Sequence, residues 1–412
     1  MVNECNICGH EKREVFSFGD VYISNFIPMD HNSEDYAKSN LTMMLCHSCG
    51  TGQLKNNINP DVLYKDKYWY YSGVNQTMKD ALYDVMDATN QSIDSEDGDV
   101  WLDIASNDGT LLGYVPKRFK TIGIDPSDEG VMSRARQKAD HIVNDYFSEP
   151  AFRSVFPDKQ AKIITCIAMF YDLENPHPFL DDVHSCLDDD GLFVFQISYT
   201  PLMLKQLEFG NICAEHAMYY NFNGIYTLLN SHGFKVLDCE LNDINGGSFR
   251  VYCSKGNIEH FRNPQNRDVA SIRVDSLKSW EGNHHFQQYE DFYHNVSGLK
   301  DQTVEFIEGE ISKGKTVYGY GASTKGNTLL QYFGLNSSHI NKIADRNSTK
   351  WGLKTIGSEI PVCSEEEMRE DSPDYLLILP WHFIDEFKRR EHKYLQGGGK
   401  FIVPSPRFEV IG

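Results

Sequence analysis

The stretch "DVWLDIASNDGTLLGYV", residues 99–115, decides how the chain is read. Val100 to Ile104 is a short apolar run broken by one acid, Asp103, the pattern of a strand buried on both faces. It stops at "ASNDGT", residues 105–110, a set of small and turn-forming side chains around Gly109. Leu111 opens a segment expected to be helical. Strand, tight turn and helix in that order build a doubly wound sheet, and ligands bind where the turn opens. The next apolar run, "FKTIGIDPS" (119–127), ends in Asp125, 22 residues after Asp103. An acid at the end of the second strand is positioned to accept both hydroxyls of a ribose.

Two cofactors use that geometry. A dinucleotide asks for G-x-G-x-x-G around its pyrophosphate, and this turn keeps only Gly109. S-adenosylmethionine carries no phosphate, so its turn tolerates fewer glycines. The later runs suit a methyltransferase: "AKIITCIAMF" (161–170) as fourth strand and "GLFVFQIS" (191–198) as fifth. "FKVLDCEL" (234–241) and "GSFRVYCSK" (247–255) then lie close enough to pair as a terminal antiparallel hairpin. The balance favours S-adenosylmethionine over NAD. Asp103, Ala105, Asn107 and Gly109 are the expected cofactor turn, Asp125 the ribose acceptor, and Asp145 in "IVNDYF" a contact to the adenine amino group. Alone, Asp103 reads equally well as a residue capping the turn. Its pairing with Asp125 gives it the functional reading.

Ten cysteines are spread over the chain, and four form two pairs, Cys5 with Cys8 and Cys46 with Cys49. Each pair is a CxxC followed by glycine, "CNICGH" and "CHSCGT". The short spacing aims two thiolates at one point, and two such knuckles complete a tetrahedral four-sulfur zinc site. Four protein ligands leave no open position, so the zinc is expected to be structural. Two unrelated thiol pairs or a redox disulfide are the alternative.

The chain has 412 residues and a formal net charge of −20, from 39 basic and 59 acidic side chains. Its length suits two or three domains. An acidic surface repels phosphate backbones and anionic membranes, which makes nucleic acid and membrane poor partners. Scattered cysteines, no apolar leader in "MVNECNICGH" and no membrane-length apolar run lead to an expected cytoplasmic location. A monomer is compatible with all of this.

The last third repeats the strand–turn–helix pattern. "KTVYGYGASTKGNTLLQYF" (315–333) supplies Gly319, Gly321 and Gly326, and "INKIADRN" (340–347) gives a second strand ending in Asp345. Backbone N–H groups at a helix N-terminus, with Ser323 and Lys325 beside them, suit a diphosphate. A tight packing turn is the plainer alternative. "YLLILPWHF" (375–383) is a further strand ending at the same sheet edge, at Trp381 and His382.

Beyond the fifth strand stands "ICAEHAMYYN" (212–221), with Glu215 and His216 side by side. Alone, the pair is an ordinary polar turn. Here it joins other strings: the two cysteine knuckles, "YWYYSGVNQTM" (68–78), "DIASNDGTLL", "GGSFRVY", "GYGASTKGNTLLQY" and "LPWHF". Through nearly its whole length, and in this order, the chain resembles the sugar C-methyltransferases of antibiotic deoxysugar pathways, such as those for mycarose and tetronitrose. The resemblance implies an α/β architecture. A class I, Rossmann-like methyltransferase domain is flanked by a small N-terminal zinc-binding domain and a C-terminal Rossmann-like substrate domain. The expected divisions are 1–56, 57–256 and 257–412, the last beginning with a helical connector.

The resemblance also implies methylation of a carbon beside the keto group of a nucleotide-diphosphate-linked 4-keto sugar. It makes His216 the base, with Glu215 orienting its imidazole, binding a sugar hydroxyl or capping the next helix. Tyr70 becomes an active-site tyrosine, while Trp69 and Tyr71 are expected to pack between domains. Gly321, Ser323, Lys325 and Asn327 become substrate-binding. The family pattern Tyr-His-Glu-His reads Cys213-Ala214-Glu215-His216 in this chain, so the tyrosine has no counterpart. Two other readings stand beside this one: a zinc-containing methyltransferase acting on RNA or protein, and a non-catalytic protein binding S-adenosylmethionine or a sugar nucleotide.

Overall fold

The structure is a computed structural model that describes residues 4–64, 70–256, 261–262, 267–281 and 285–412. Tyr68, Trp69 and parts of the expected helical connector lie outside the described residues.

A seven-stranded sheet forms around the opening stretch. In spatial order its strands are Lys235–Asn242, Ser248–Ser254, Leu187–Ser198, Ala161–Ile167, Val100–Ile104, Lys120–Ile124 and His141–Val143. The five strands from Leu187–Ser198 to His141–Val143 are parallel, and Ser248–Ser254 runs antiparallel to both its neighbours. This is the class I methyltransferase arrangement, terminal hairpin included. Val100–Ile104 is buried at every position because strands flank it on both sides and helices cover both faces. The chain reverses direction across the sheet between Val100–Ile104 and Ala161–Ile167, so a crevice opens above their carboxyl ends.

The segment after Leu111 is not the helix its sequence suggested. Only a 3₁₀ turn forms, Leu112–Tyr114, because Gly113 weakens it and Pro116 ends it.

A second, six-stranded sheet holds Val362–Cys363, Ile343–Ala344, Val317–Tyr320, Tyr375–Ile378, Lys400–Val403 and Glu409–Ile411, in that order. All neighbours are parallel except the last pair. This Rossmann-like sheet has its own switch point between Val317–Tyr320 and Tyr375–Ile378.

The N-terminal residues stitch the two sheets together. Strands Lys12–Tyr22, Lys38–Cys46 and Gly52–Leu54 form a small antiparallel sheet, extended by Met218–Tyr219 from just beyond His216. Phe26–Pro28 pairs with Leu353–Thr355 of the last third. The Tyr22 backbone is held on both sides by Gln331, whose carboxamide accepts from Tyr22 N at 2.7 Å and donates to Tyr22 O at 3.2 Å. An apolar cluster running from Phe16 and Leu41 through Phe209 and Tyr289 to Leu330 and Ile343 fixes this junction. No helix among the described residues is long and apolar enough to cross a membrane.

Candidate active site

Two identical turns build the cysteine cluster. The N–H groups of Gly9 and Gly50 donate to the carbonyls of Cys5 and Cys46, each at 2.9 Å, and each turn aims its two thiols inward. Cys5 Sγ lies 3.6 Å from Cys49 Sγ, and Cys8 Sγ lies 3.5 Å from Cys46 Sγ. All four sulfurs fall within 4.8 Å of one another. Four thiolates around a metal at the usual zinc–sulfur length stand about 3.8 Å apart, whereas a disulfide needs about 2.05 Å. The donor set and its spacing therefore fit zinc. Gln53 Nε2 donates to Cys5 Sγ at 2.8 Å and Ile7 N at 3.4 Å, as N–H groups do around metal thiolates.

The cofactor crevice is a cavity of about 190 Å³ at the first switch point. Asp103, Ala105, Asn107 and Asp125 line it, with Ser106, Ser127, Tyr146 and Asp172. Asp125 closes the turn: Oδ2 accepts from Asn107 N and Oδ1 from Ser127 N, both at 2.8 Å. Each carboxylate oxygen keeps a second lone pair for a hydroxyl. Ala105 and Asn107 are both left-handed, with φ of 56° and 48°, strain that persists where a site requires it. Asp103 accepts from Thr165 Oγ1 at 2.7 Å, and burial, aided by the Asp125 charge, pushes its carboxyl up to about 7.

The lining separates the two cofactors. It carries three carboxylates, Asp103, Asp125 and Asp172, and no Lys or Arg among its described residues. A pyrophosphate would find no cation there, whereas a sulfonium with an ammonium group and ribose hydroxyls finds acceptors. Ser106 Oγ is buried in this wall with no hydrogen-bond partner among the described residues. These residues fit S-adenosylmethionine.

The segment after Tyr70 closes over the turn. Ser72 N donates to Asn107 Oδ1 at 3.0 Å, Gly73 N to Asp108 Oδ2 at 3.1 Å, and Asn107 Nδ2 to Tyr70 O at 3.1 Å. Gly73 must be glycine for this approach, because a Cβ there would come 2.5 Å from Asp108 Oδ2. Position 71 is less inert than expected: Tyr71 stacks under Arg134, 4.6 Å from its ring centre, and also lines the second cavity.

That second cavity, of about 280 Å³, sits at the switch point of the C-terminal sheet. It shares Tyr70, Met78 and Ala168 with the cofactor crevice, so the two meet mouth to mouth. Its walls bring together Gly321, Ser323 and Lys325 from the expected turn, His382 from the expected strand end, and His216. Lys325, Arg346, Lys350 and Arg390 face Asp345, Glu365 and Glu386 in these walls, in contrast with the acidic crevice. Ser323 caps the helix Thr324–Phe333, its Oγ accepting from Gly326 N at 2.9 Å.

His216 is held by its backbone surroundings. Its Nδ1–H donates to Asn211 O at 2.7 Å, which leaves Nε2 as the acceptor. Its ring lies 4.2 Å from the Tyr171 ring. Burial, then the Lys325 cation, hold its pKa down to about 3, against the opposing pull of the Asn211 hydrogen bond.

Several expected residues stand elsewhere. Asp145 is exposed, its carboxylate accepts from the N–H of Tyr146 at 2.8 Å, and it does not line the crevice; the Tyr146 side chain does. Asn327 is buried behind the second cavity, where Nδ2 donates to Asn25 O at 2.8 Å. It tethers the N-terminal segment and does not line either cavity. Gly109 lies behind the cofactor turn against Ala135. Glu215 neither orients His216, which Asn211 does, nor caps the following helix, which Asn221 does by accepting from Gly224 N at 3.0 Å. Burial raises the Glu215 carboxyl, and its Oε2 has no hydrogen-bond partner among the described residues. Cys213 and Ala214 are both buried and line neither cavity.

Asn211, Asn245, Glu208 and Tyr171 went unseen in the sequence. None belongs to a spaced motif, and Asn245 acts through a backbone carbonyl and a left-handed φ of 54°, which no residue pattern announces.

Residues 78–238 match the family described as a methyltransferase domain, and residues 243–406 match the C-methyltransferase C-terminal domain. The chain is 29% identical over 413 aligned residues to the C-methyltransferase NovU of Streptomyces niveus, an alignment that takes in 100% of this chain and 97% of that protein. Among solved structures, an S-adenosylmethionine-dependent methyltransferase from Clostridium acetobutylicum covers 45% of this chain and 94% of its own at 13% identity, with a TM-score of 0.32. Magnesium protoporphyrin IX methyltransferase from Synechocystis, solved with bound SAH, covers 46% and 90% at 14% identity, with a TM-score of 0.33. Likenesses as partial as these two decide nothing about the chain.

Proposed function

Because the chain belongs to the S-adenosylmethionine-dependent C-methyltransferases, we propose that it methylates the carbon next to the ketone of a nucleotide-diphosphate-linked 4-keto sugar. The observation that carries this reading is the shared wall of two cavities, of which one has carboxylates as its only charged groups among the described residues and the other carries both signs of charge. The acidic crevice suits a sulfonium cofactor, the other sets four cationic residues against three carboxylates, with Arg346, Lys350 and Arg390 paired to them, and Tyr70, Met78 and Ala168 face both.

Each set of residues then has one task. Asp125 accepts the ribose hydroxyls, while Asp103, Asp172 and Ser106 receive the remaining polar groups of the cofactor. When bound, the cofactor supplies an electrophilic methyl group. The turn at Gly321 and Ser323 receives the diphosphate with the N-terminus of Thr324–Phe333 behind it. Tyr70 lines both cavities at their junction. His216, neutral and open at Nε2, takes the proton from the carbon beside the ketone. The pair of electrons left behind is delocalised onto the keto oxygen as an enolate. Cys5, Cys8, Cys46 and Cys49 hold a zinc that fastens the N-terminal sheet and takes no part in the reaction. Residues 1–56, 57–256 and 257–412 serve as zinc, cofactor and substrate units.

Incubating the protein with methyl-labelled cofactor and a panel of nucleotide-linked 4-keto sugars tests this directly. Label retained on a sugar carbon supports the reading. Label found on RNA or protein instead, or on nothing, contradicts it.

A further inference from the structure

We propose that Lys325 is a catalytic residue whose ammonium receives the oxygen of the enolate while His216 removes the carbon-bound proton. The inference rests on the reading of His216 as the base. In this step the C–H bond breaks and its proton goes to His216 Nε2. The C–H electron pair becomes the carbon–carbon double bond, and the carbonyl π pair moves onto oxygen. A negative charge appears on that oxygen only in the course of reaction, and a fixed cation there stabilises the transition state more than the bound ketone.

The base and the cation stand on one scaffold. Asn211 O accepts from His216 Nδ1 at 2.7 Å. Asn211 Nδ2 donates to Asn245 O at 3.4 Å, and the same carbonyl accepts from Lys325 Nζ at 3.4 Å. A single asparagine thus braces the two groups, although one comes from the turn before Met218–Tyr219 and the other from the helix Thr324–Phe333. Both line the same cavity, and the Lys325 charge is felt at His216.

Lys325 is also kept short of partners. Its side chain is 19% exposed, its hydrogen bond among the described residues is the long one to Asn245, and the Glu208 carboxylate stands off at 4.0 Å. An ammonium in such a place costs desolvation that a structural role would offset with closer acceptors. Here it retains hydrogens for an incoming oxygen. Gly210 permits the position, since a Cβ there would lie 3.1 Å from Lys325 Cβ. A diphosphate does not require this lysine, because the turn at Gly321 and Ser323 lines the same cavity, beside Arg346, Lys350 and Arg390 in their ion pairs with Glu386, Asp345 and Glu365. His382 sits in that wall too, with a buried Nδ1 that has no partner among the described residues, and burial and Lys325 hold it neutral. Lys325 is therefore the cation in the neighbourhood of both histidines.

The test is deuterium exchange at the carbon beside the ketone, in deuterium oxide without methyl donor. Wild type, Lys325→Met and Lys325→Arg are compared on a panel of nucleotide-linked 4-keto sugars. We expect Lys325→Met to lower the exchange rate at saturation about 100-fold or more, the scale of losing one donor to a developing oxyanion, with the half-saturating concentration nearly unchanged. Lys325→Arg should recover part of the loss. Lys325→Ala assayed with added ethylamine guards against a folding defect, because an amine can restore a missing ammonium but not a misfolded chain. Exchange by Lys325→Met within threefold of wild type would overturn the proposal. So would a loss confined to half-saturation, which marks a diphosphate contact. If the wild type exchanges none of the sugars, the reading of His216 beneath it fails, and that result is distinct from the other two.

Discussion

His216 Nδ1 lies 2.7 Å from the carbonyl oxygen of Asn211, five residues earlier in the chain. A carbonyl can only accept, so the ring proton is fixed on Nδ1 and the lone pair on Nε2. A histidine that must act as a base needs that tautomer. The surrounding burial and Lys325 then keep the ring unprotonated, with a pKa near 3. Such a ring is ready at any physiological pH but intrinsically weak, so it depends on whatever stabilises the anion it creates.

The first expectation is the absence of an acid limb near pH 6.5 from His216. The free protein should lose no kcat/KM to protonation of this residue between pH 8 and about 5, and the ring should titrate far below the ordinary histidine range in an NMR titration. The same shift bears on stability. The unfolded chain binds a proton at this histidine from about pH 6.5 downward and the folded one does not. The contribution is therefore present above about 6.5 and is lost as pH falls toward 3. A His216 titrating at 6–7 in the folded protein would contradict the burial described.

Asp103 gives a pH dependence of the same origin, burial, but shifted in the opposite direction. Burial, with the Asp125 charge, raises it to about 7, so much of it is protonated in the free protein at pH 6. A cationic cofactor favours the carboxylate and expels the proton. Affinity for S-adenosylmethionine should therefore rise with pH up to about 7, by at most about tenfold per unit, and level off above it. Asp103→Asn should flatten the profile. Calorimetry in two buffers of different ionisation enthalpy reads the released proton, and its absence at pH 6 would remove Asp103 from the site.

Gly73→Ala tests the closure of the Tyr70 segment. The added Cβ meets Asp108 Oδ2 at 2.5 Å, so the Gly73–Asp108 hydrogen bond must open. We expect a cost of about 1–3 kcal/mol in closure, read as about 5- to 140-fold weakening of cofactor binding. The melting temperature should hardly move, because the segment packs against the turn and not into the core. A variant with unchanged affinity would show that closure plays no part in binding.

For the cysteine cluster we expect about one zinc per chain by metal analysis. Chelation should lower the melting temperature and the activity together, because Met218–Tyr219, just past His216, pairs with Gly52–Leu54 beside the knuckles. An activity that survives complete zinc removal would uncouple the metal from the active-site loop.

The sequence makes some of this arrangement plain and leaves the rest hidden, for physical reasons. The run from Val100 to Ile104, the acid at Asp125 and the two CxxC knuckles are local patterns, and local patterns survive in a string of letters. The fourth and fifth strands and the terminal hairpin are legible as apolar runs of the right length, whereas their order across the sheet comes from the fold. Leu111 misled because its apolar neighbours suggest a helix that Gly113 and Pro116 cut short. Asp145 misled because the strand end was right but the side chain facing the crevice is the next one, Tyr146. Asn211 was invisible: it serves through a carbonyl, and only the fold brings its amide to Asn245. The pairing of Phe26–Pro28 with Leu353–Thr355 is likewise a contact between distant segments with no local signature.

The most direct test of the central claim is deuterium exchange by His216→Ala, measured beside its binding of S-adenosylmethionine. A chain that uses His216 as the base should lose both exchange and methylation of the keto sugar, while calorimetry finds cofactor affinity within about threefold of wild type, since His216 lines the substrate cavity and not the cofactor crevice. If His216→Ala keeps most of the wild-type exchange rate on a sugar that the wild type methylates, another group takes the proton and the claim is wrong.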